Sequence, residues 1–278
     1  MHFQSRSFHM NQKQSSGTAI AGLLATLVLF FTFSAGFARG EDVKSIKVMS
    51  YNIHYGRGLD KKLDLARIAK VIMSQKPDLV GLQEIGNHAM AEELGRLTGM
   101  KFVFGQSLGK KDGYGDAILS RHPFEWVGNE SIPSASSSRY QAMAIDVDLS
   151  KVFGEGTVVR LINTHFDWLQ TIGSQEARLA TVDVIERAFF KEFSRPAILT
   201  GDLNATPASA PLKKLVGKGW VQESLGKDLW TIGAAKPSKQ IDYVLFRSKQ
   251  KWKVLGVEVL DEPVASDHLP IVMTLELK

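Results

Sequence analysis

The sequence predicts an α/β domain in which helices cover mixed β-sheet, and three observations carry that expectation. Short β-rich runs alternate with helical patterns along the chain. Two of the helical stretches repeat apolar residues at three- and four-residue spacing. Four strand-like runs end in polar, chemistry-bearing residues and two others begin with them, so strands must run in both directions through one edge. With 44% of its 278 residues hydrophobic and 23% charged, the chain can bury a core, which excludes collagen-like, disulfide-scaffold and fully disordered classes.

Residues 1–40 stand apart. From Gly17 to Ala38 the chain carries no charge, Arg6 and Lys13 precede this run, and small residues at Gly36 and Ala38 end it. The pattern reads as an export signal peptide or, because the run is long enough to cross a bilayer as a helix, as an N-terminal membrane anchor. Basic residues on the N-terminal side alone put the remainder outside the cytoplasm, secreted or periplasmic, or anchored to the membrane by residues 17–38. Without residues 1–38 the net charge falls by two, from +5 to +3. So weak an excess is compatible with nucleic acid or anionic lipid and requires neither.

Residues 41–278 read as one domain, with no linker and no internal repeat. Strands are expected at 46–51, 79–82, 117–120, 142–149, 158–163, 197–200, 243–246, 254–260 and 270–277. Leu65, Ile68, Ala69 and Ile72 define a helix that Pro77 ends, and Leu179, Val182, Ile185 and Phe189 define a second between Ser174 and Phe193. The Ser-rich tract at 134–138 reads as a surface loop.

Strand ends carry the chemistry. VMSYN ends at Asn52, LVGLQE at Glu84, RLINTH at His165, and AILTGDLN at Asp202 and Asn204, while Asp242 and the Asp267-His268 pair precede apolar runs. A mixed sheet would gather all of these on one rim. Each is also an ordinary turn or strand cap, yet six such punctuations, all carboxylate, amide or imidazole, point to a site. With no cysteine in the chain, thiolate catalysis, cysteine-bound zinc, iron–sulfur clusters and a lipidated N-terminal cysteine are all excluded. Hard oxygen donors, and the lack of His-x-x-x-His or His-Glu-x-x-His spacing, favour Mg2+ or Mn2+ over structural zinc.

The ordered set MSYNIH, LQE, GDAILSR, NTHFD, GDLN, IDYV and SDHLP resembles the endonuclease/exonuclease/phosphatase superfamily across almost all of residues 45–278. The resemblance implies a four-layer α-β-β-α sandwich with two mixed β-sheets and a divalent-metal-dependent phosphoric ester hydrolase. It implies Glu84 as metal ligand, with Asn52 beside it on metal or phosphate and Asp267 as a further metal or outer ligand. Asp202 would activate the attacking water and Asn204 would orient it. His268 would hydrogen-bond a phosphate oxygen, with Asp242 as its partner. His165 matches the nuclease and sphingomyelinase branches rather than the abasic-site branch, which has tyrosine there.

Asp116 stands where much of the family has asparagine, either as an added negative charge near the site that alters metal affinity or as a strand cap, the simpler reading. Gln240 replaces a basic residue that Lys239 would supply instead. Arg139 is a candidate contact for substrate phosphate. Arg247, Lys249, Lys251 and Lys253 alternate, either as a strip for a polyanion or as the solvated face of an edge strand. Trp168, Trp230 and Tyr55 neighbour the site motifs and read as rim packing or as stacking groups. The expectation is an exported phosphodiesterase or phosphatase acting on a small phosphoester or phospholipid headgroup. A secreted nonspecific nuclease is the alternative.

Overall fold

The computed structural model describes residues 44–107, 113–137, 140–248 and 251–278. The leader, Arg139 and Lys249 lie outside the described residues. The elements run β1 (Ser45–Asn52), α1 (Leu65–Ser74), β2 (Leu79–Ile85), α2 (His88–Thr98), β3 (Lys101–Gln106), β4 (Gly115–Ser120), β5 (Phe124–Ile132), β6 (Tyr140–Asp148), α3 (Ser150–Phe153), β7 (Val158–His165), α4 (Ile172–Phe189), β8 (Ala197–Asp202), α5 (Ala210–Gly217), β9 (Trp220–Val221), β10 (Asp242–Arg247), β11 (Trp252–Val259) and β12 (Ile271–Leu277). Helix starts follow from side-chain caps: Asp64 accepts from the Arg67 amide, Asn87 from Met90 and Thr171 from Ser174. The first helix stops just ahead of Pro77, and Gly99, at φ 67°, ends the second.

Two six-stranded sheets result, ordered β11-β12-β1-β2-β4-β3 and β5-β6-β7-β8-β10-β9. Each sheet has one parallel pair at its centre, β1 with β2 and β7 with β8, and its other pairings are antiparallel. Such mixed sheets are what the opposed strand-end motifs required. The sheets pack face to face over an apolar layer that includes Ile46, Val48, Leu79, Ile118, Ile145, Leu161, Ile198 and Met273. α1 and α2 cover one outer face through Ile68, Ile72, Ala91 and Leu94. α4 and α5 cover the other through Val182, Ile185, Leu212 and Leu215. The architecture is the four-layer α-β-β-α sandwich.

Towards one end the layer between the sheets turns polar. Asn163 on β7 donates to the carbonyls of Leu82 (2.9 Å) and Ala117 (3.1 Å) on the opposite sheet and accepts from Gln83 (2.6 Å) and Thr200 (3.0 Å). Gly81 permits this approach, because a Cβ there would overlap Thr200 Oγ1 and Asn163 Oδ1. The two sheets are thereby pinned just below the rim that carries the polar strand ends.

The basic strip of the sequence is not one face of a strand. Arg247 closes β10 in one sheet, where it pairs with Glu186 at 3.0 Å, and Lys253 lies on β11 in the other, paired with Glu276 at 3.0 Å. The alternation spans a crossing between sheets, which periodicity alone does not reveal. Lys253 does sit on an edge strand, as the second reading of the strip expected.

Candidate active site

Register alone assembles the centre. The parallel β7–β8 pairing sets His165 level with Asp202, and the antiparallel β8–β10 pairing sets Asp242 opposite Asp202. In the other sheet Asn52 is level with Gln83, next to Glu84. The β2–β4 ladder shifts register between Leu82 and Ile85, and Glu84 there adopts a left-handed backbone at φ 59°. A bulge of this kind re-aims a side chain out of the ladder. Asn204 is also left-handed, at φ 46°.

Hydrogen bonds join the predicted residues into one cluster. Asn52 Nδ2 donates to Glu84 Oε1 and to Asp202 Oδ2, both at 3.1 Å, while its Oδ1 accepts from the His54 amide at 3.0 Å. Asp202 Oδ1 accepts from the Asn204 amide at 3.0 Å. His165 Nε2 lies 3.2 Å from Asn204 Nδ2 and 3.4 Å from Asp202 Oδ2, and its Nδ1 faces the Tyr114 hydroxyl at 3.4 Å. His268 Nδ1 pairs with Asp242 Oδ2 at 2.9 Å and its Nε2 faces Asp202 Oδ2 at 3.7 Å.

Asp242 is fully buried, His268 nearly so. Burial works against the imidazolium, but Asp242 and then Asp202 outweigh it and raise the His268 pKa. Burial likewise raises the Asp242 carboxyl, and the His268 charge draws it back. The pair is therefore a buried ion pair whose cationic end fronts the same space as Asp202. One ligand atom from each of Asp202, Asp242 and His268 falls within 4.8 Å of the others. Two of those three residues already bond each other.

Asp267 stands further out. Its side chain is 40% exposed and lies 3.6 Å from His54 Nδ1, tied inward through Ser266, whose hydroxyl donates to the Asn52 carbonyl at 2.8 Å. Asp116 is not a strand cap. It lies within β4 and is 1% exposed. Burial above all pushes its carboxyl well above the ordinary range, the Glu84 backbone amide opposing the shift and the charges of Glu84 and Asp202 adding to it. Tyr114, Asp167 and Arg178 were not singled out from the sequence. Asp167 lies inside the NTHFD motif, which was the available signal.

The cluster opens into a cleft of about 620 Å³ whose lining includes Glu84, His165, Asp202, Asn204 and His268 together with Trp168, Gln175, Thr206, Ser209 and Lys239. Residues 49–268 match the Endonuclease/Exonuclease/phosphatase family. The chain belongs to that family. Its members are hydrolases that act on phosphoester bonds and generally use a divalent metal. No curated protein matches the chain by sequence.

Solved structures of this family share the fold. A Bacteroides vulgatus member is 20% identical with a TM-score of 0.69, over 84% of this chain and 99% of that one. The Bacteroides thetaiotaomicron mannosyl-6-phosphatase is 19% identical with a TM-score of 0.66, covering 83% and 99% of the two chains. D. rerio TDP2 complexed with a single-strand DNA product is 21% identical with a TM-score of 0.65, covering 84% and 99%.

Proposed function

We propose that the protein is an exported, divalent-metal-dependent phosphodiesterase or phosphatase that hydrolyses a small phosphoester or a phospholipid headgroup. The observation that carries the choice of substrate size is the cleft wall. Among the described residues of its lining the lysine is Lys239 and the arginine is Arg178, which spends Nη1 on the carbonyls of Asp167 and Leu169 at 2.7 and 2.8 Å. A nucleic-acid track needs a row of cations for successive phosphates, and the sequence's basic strip is split between two sheets.

The residues fit a hard divalent cation. Glu84 and Asp202 offer carboxylate oxygens to the cleft, the donor type that a hard divalent cation takes. Mg2+ or Mn2+ would be held by Glu84, with Asp267 at the outer edge, and would polarise a phosphoryl oxygen, while Asn52, whose amide N–H groups face Glu84 and Asp202, would donate to a phosphate oxygen. Asp202 takes the proton of the attacking water, with Asn204 and His165 fixing the water and the base. The water's oxygen bonds to phosphorus as the ester oxygen leaves with its electron pair and takes up a proton. His268, charged and held by Asp242, donates a hydrogen bond to a non-bridging oxygen as negative charge builds there.

Export rests on the uncharged run from Gly17 to Ala38. A second reading, an exported nonspecific nuclease, is favoured by Trp168, an exposed ring able to stack on a base. A panel of ethyl phosphate, bis-p-nitrophenyl phosphate, sphingomyelin, RNA and plasmid DNA at matched magnesium and salt separates the two. Turnover of the small or lipid esters above that of DNA is expected. Rapid DNA degradation with no activity on any small or lipid ester would hand the site to the nuclease reading.

A further inference from the structure

Beyond the reacting centre, the cleft contains a second set of groups that the hydrolytic chemistry leaves unused. Trp168 lies on its wall with 54% of its surface exposed. The backbone on either side of this ring is clamped. Asp167, wholly buried, accepts from Ser134 Oγ (2.9 Å), Ala135 N (2.6 Å) and Ser136 N (3.0 Å) through one oxygen and from Leu169 N (3.0 Å) through the other. Arg178 then ties down the carbonyls of both Asp167 and Leu169. These bonds fix the backbone that presents the indole, so little main-chain ordering entropy is lost when a ligand lies against it.

Ser209 lines the same cleft. It occupies the N-cap of α5, where a serine hydroxyl ordinarily accepts a backbone N–H from the first turn. This one makes no cap bond, and its buried Oγ has no hydrogen-bond partner among the described residues. Thr206, Gln170 and Gln175 line the same cleft, Gln170 donating from its amide to the Trp168 carbonyl at 3.0 Å, so the cleft holds, beside the ring, hydroxyls and neutral amides that donate and accept.

We propose that Trp168, Gln170, Gln175, Thr206 and Ser209 form a leaving-group subsite for a neutral polyhydroxylated ring carrying one phosphoester, as in a hexose phosphate. The proposal rests on the small-phosphoester reading above. The C–H face of a pyranose carries partial positive charge that the negative face of the indole attracts, while the ring's hydroxyls each donate and accept, as the amides and hydroxyls of the wall do. A nucleobase would also stack on Trp168. Within a nucleic-acid strand it would bring a further backbone phosphate, however, and among the described residues of the cleft that charge would meet Lys239 and the clamped Arg178.

The test compares the protein's kcat/KM for glucose 6-phosphate or mannose 6-phosphate with that for ethyl phosphate, a primary alkyl ester that lacks the ring. We expect a preference for a hexose phosphate of at least about tenfold, reduced about tenfold in Trp168→Ala and largely restored in Trp168→Tyr, because a ring stacked on an aromatic is typically worth that much. Gln175→Ala should lower the same ratio severalfold, mainly through KM. In EDTA, isothermal titration with the preferred hexose phosphate should show weaker binding to Trp168→Ala than to wild type, independently of turnover. Equal wild-type turnover of the ring and ethyl esters, or a ratio unmoved in a folded Trp168→Ala, would overturn the subsite while leaving the small-ester function standing. Cleavage of single-stranded oligonucleotide with no small-ester activity would overturn both.

Discussion

Asp242→Asn isolates what the buried ion pair contributes. The substitution keeps an oxygen to accept from His268 Nδ1, now 2.9 Å from Asp242 Oδ2, and removes only the charge. Asp242 has no exposed surface, so water cannot replace that charge. A hydrogen bond to an ionised group is worth about 1.5–3 kcal/mol. At about 1.4 kcal/mol per decade, kcat/KM should fall roughly ten- to a hundredfold if the charged His268 acts on the transition state. The pH dependence has a definite sign. Burial pulls the His268 pKa down, and the Asp242 and Asp202 carboxylates raise it on balance to about 10. Wild-type activity should therefore hold through neutral pH and decline as pH rises through that raised value, whereas in Asp242→Asn the decline should begin at lower pH. The assay is hydrolysis of bis-p-nitrophenyl phosphate from about pH 6 to about pH 10 at saturating magnesium, with the unfolding midpoint of each protein measured alongside. An unchanged rate and an unchanged alkaline limb in a folded variant would refute the assignment.

EDTA should abolish activity and magnesium or manganese restore it, and Glu84→Ala should raise the metal concentration needed, read as the midpoint of a metal titration of activity and of thermal stabilisation; full turnover in EDTA would count against the metal site. Gly81→Val should lower stability by about 1–3 kcal/mol or more, read from the urea midpoint, because its side chain would enter the space of Thr200 and Asn163 where the sheets meet. A phosphatase reporter fused after Lys278 should be active outside the cytoplasm, and an active cytoplasmic β-galactosidase fusion would overturn export.

Central strands were legible because both their faces are buried, which writes a continuous apolar run. Nine of the twelve strands among the described residues were expected, eight of them inside a sheet and the ninth, β11, at an edge, as were α1 and α4. The three missed strands lie at sheet edges, where the run is diluted. β5, for example, carries Gly128 and Asn129, ordinary turn residues, beside a register shift between Trp126 and Gly128. α2 was hidden by Gly95, which packs against Phe102 and Met100 where a side chain would not fit. The site was readable because strand ends are local, so Asn52, Glu84, His165, Asp202, Asn204, Asp242 and His268 each carried their own signal. Asp116 was misread for the opposite reason. Whether a carboxylate after glycine caps a strand or lies between sheets depends on the bulge at Glu84, a feature of pairing and not of the local sequence. The clamp on Trp168 was equally hidden, because Asp167, Ser134 and Arg178 meet only in the folded chain.

The charge balance of the centre ties metal and substrate together. Glu84, Asp116, Asp202 and Asp242 bring four carboxyl groups to one end of the sandwich, against His268 as the histidine whose raised pKa keeps it charged at neutral pH. Asp242 is spent on His268 and burial drives Asp116 towards its neutral form, yet Glu84 and Asp202 still face the cleft. A phosphate ester arriving there meets carboxylates of its own sign across a partly desolvated wall, where repulsion is stronger than in bulk water. A divalent cation at Glu84 reverses that field before any bond is broken. Metal removal should therefore weaken binding of a non-hydrolysable phosphonate analogue as well as turnover. The two losses have one cause, the excess of buried carboxylate over imidazole that the folded sheets hold at this rim.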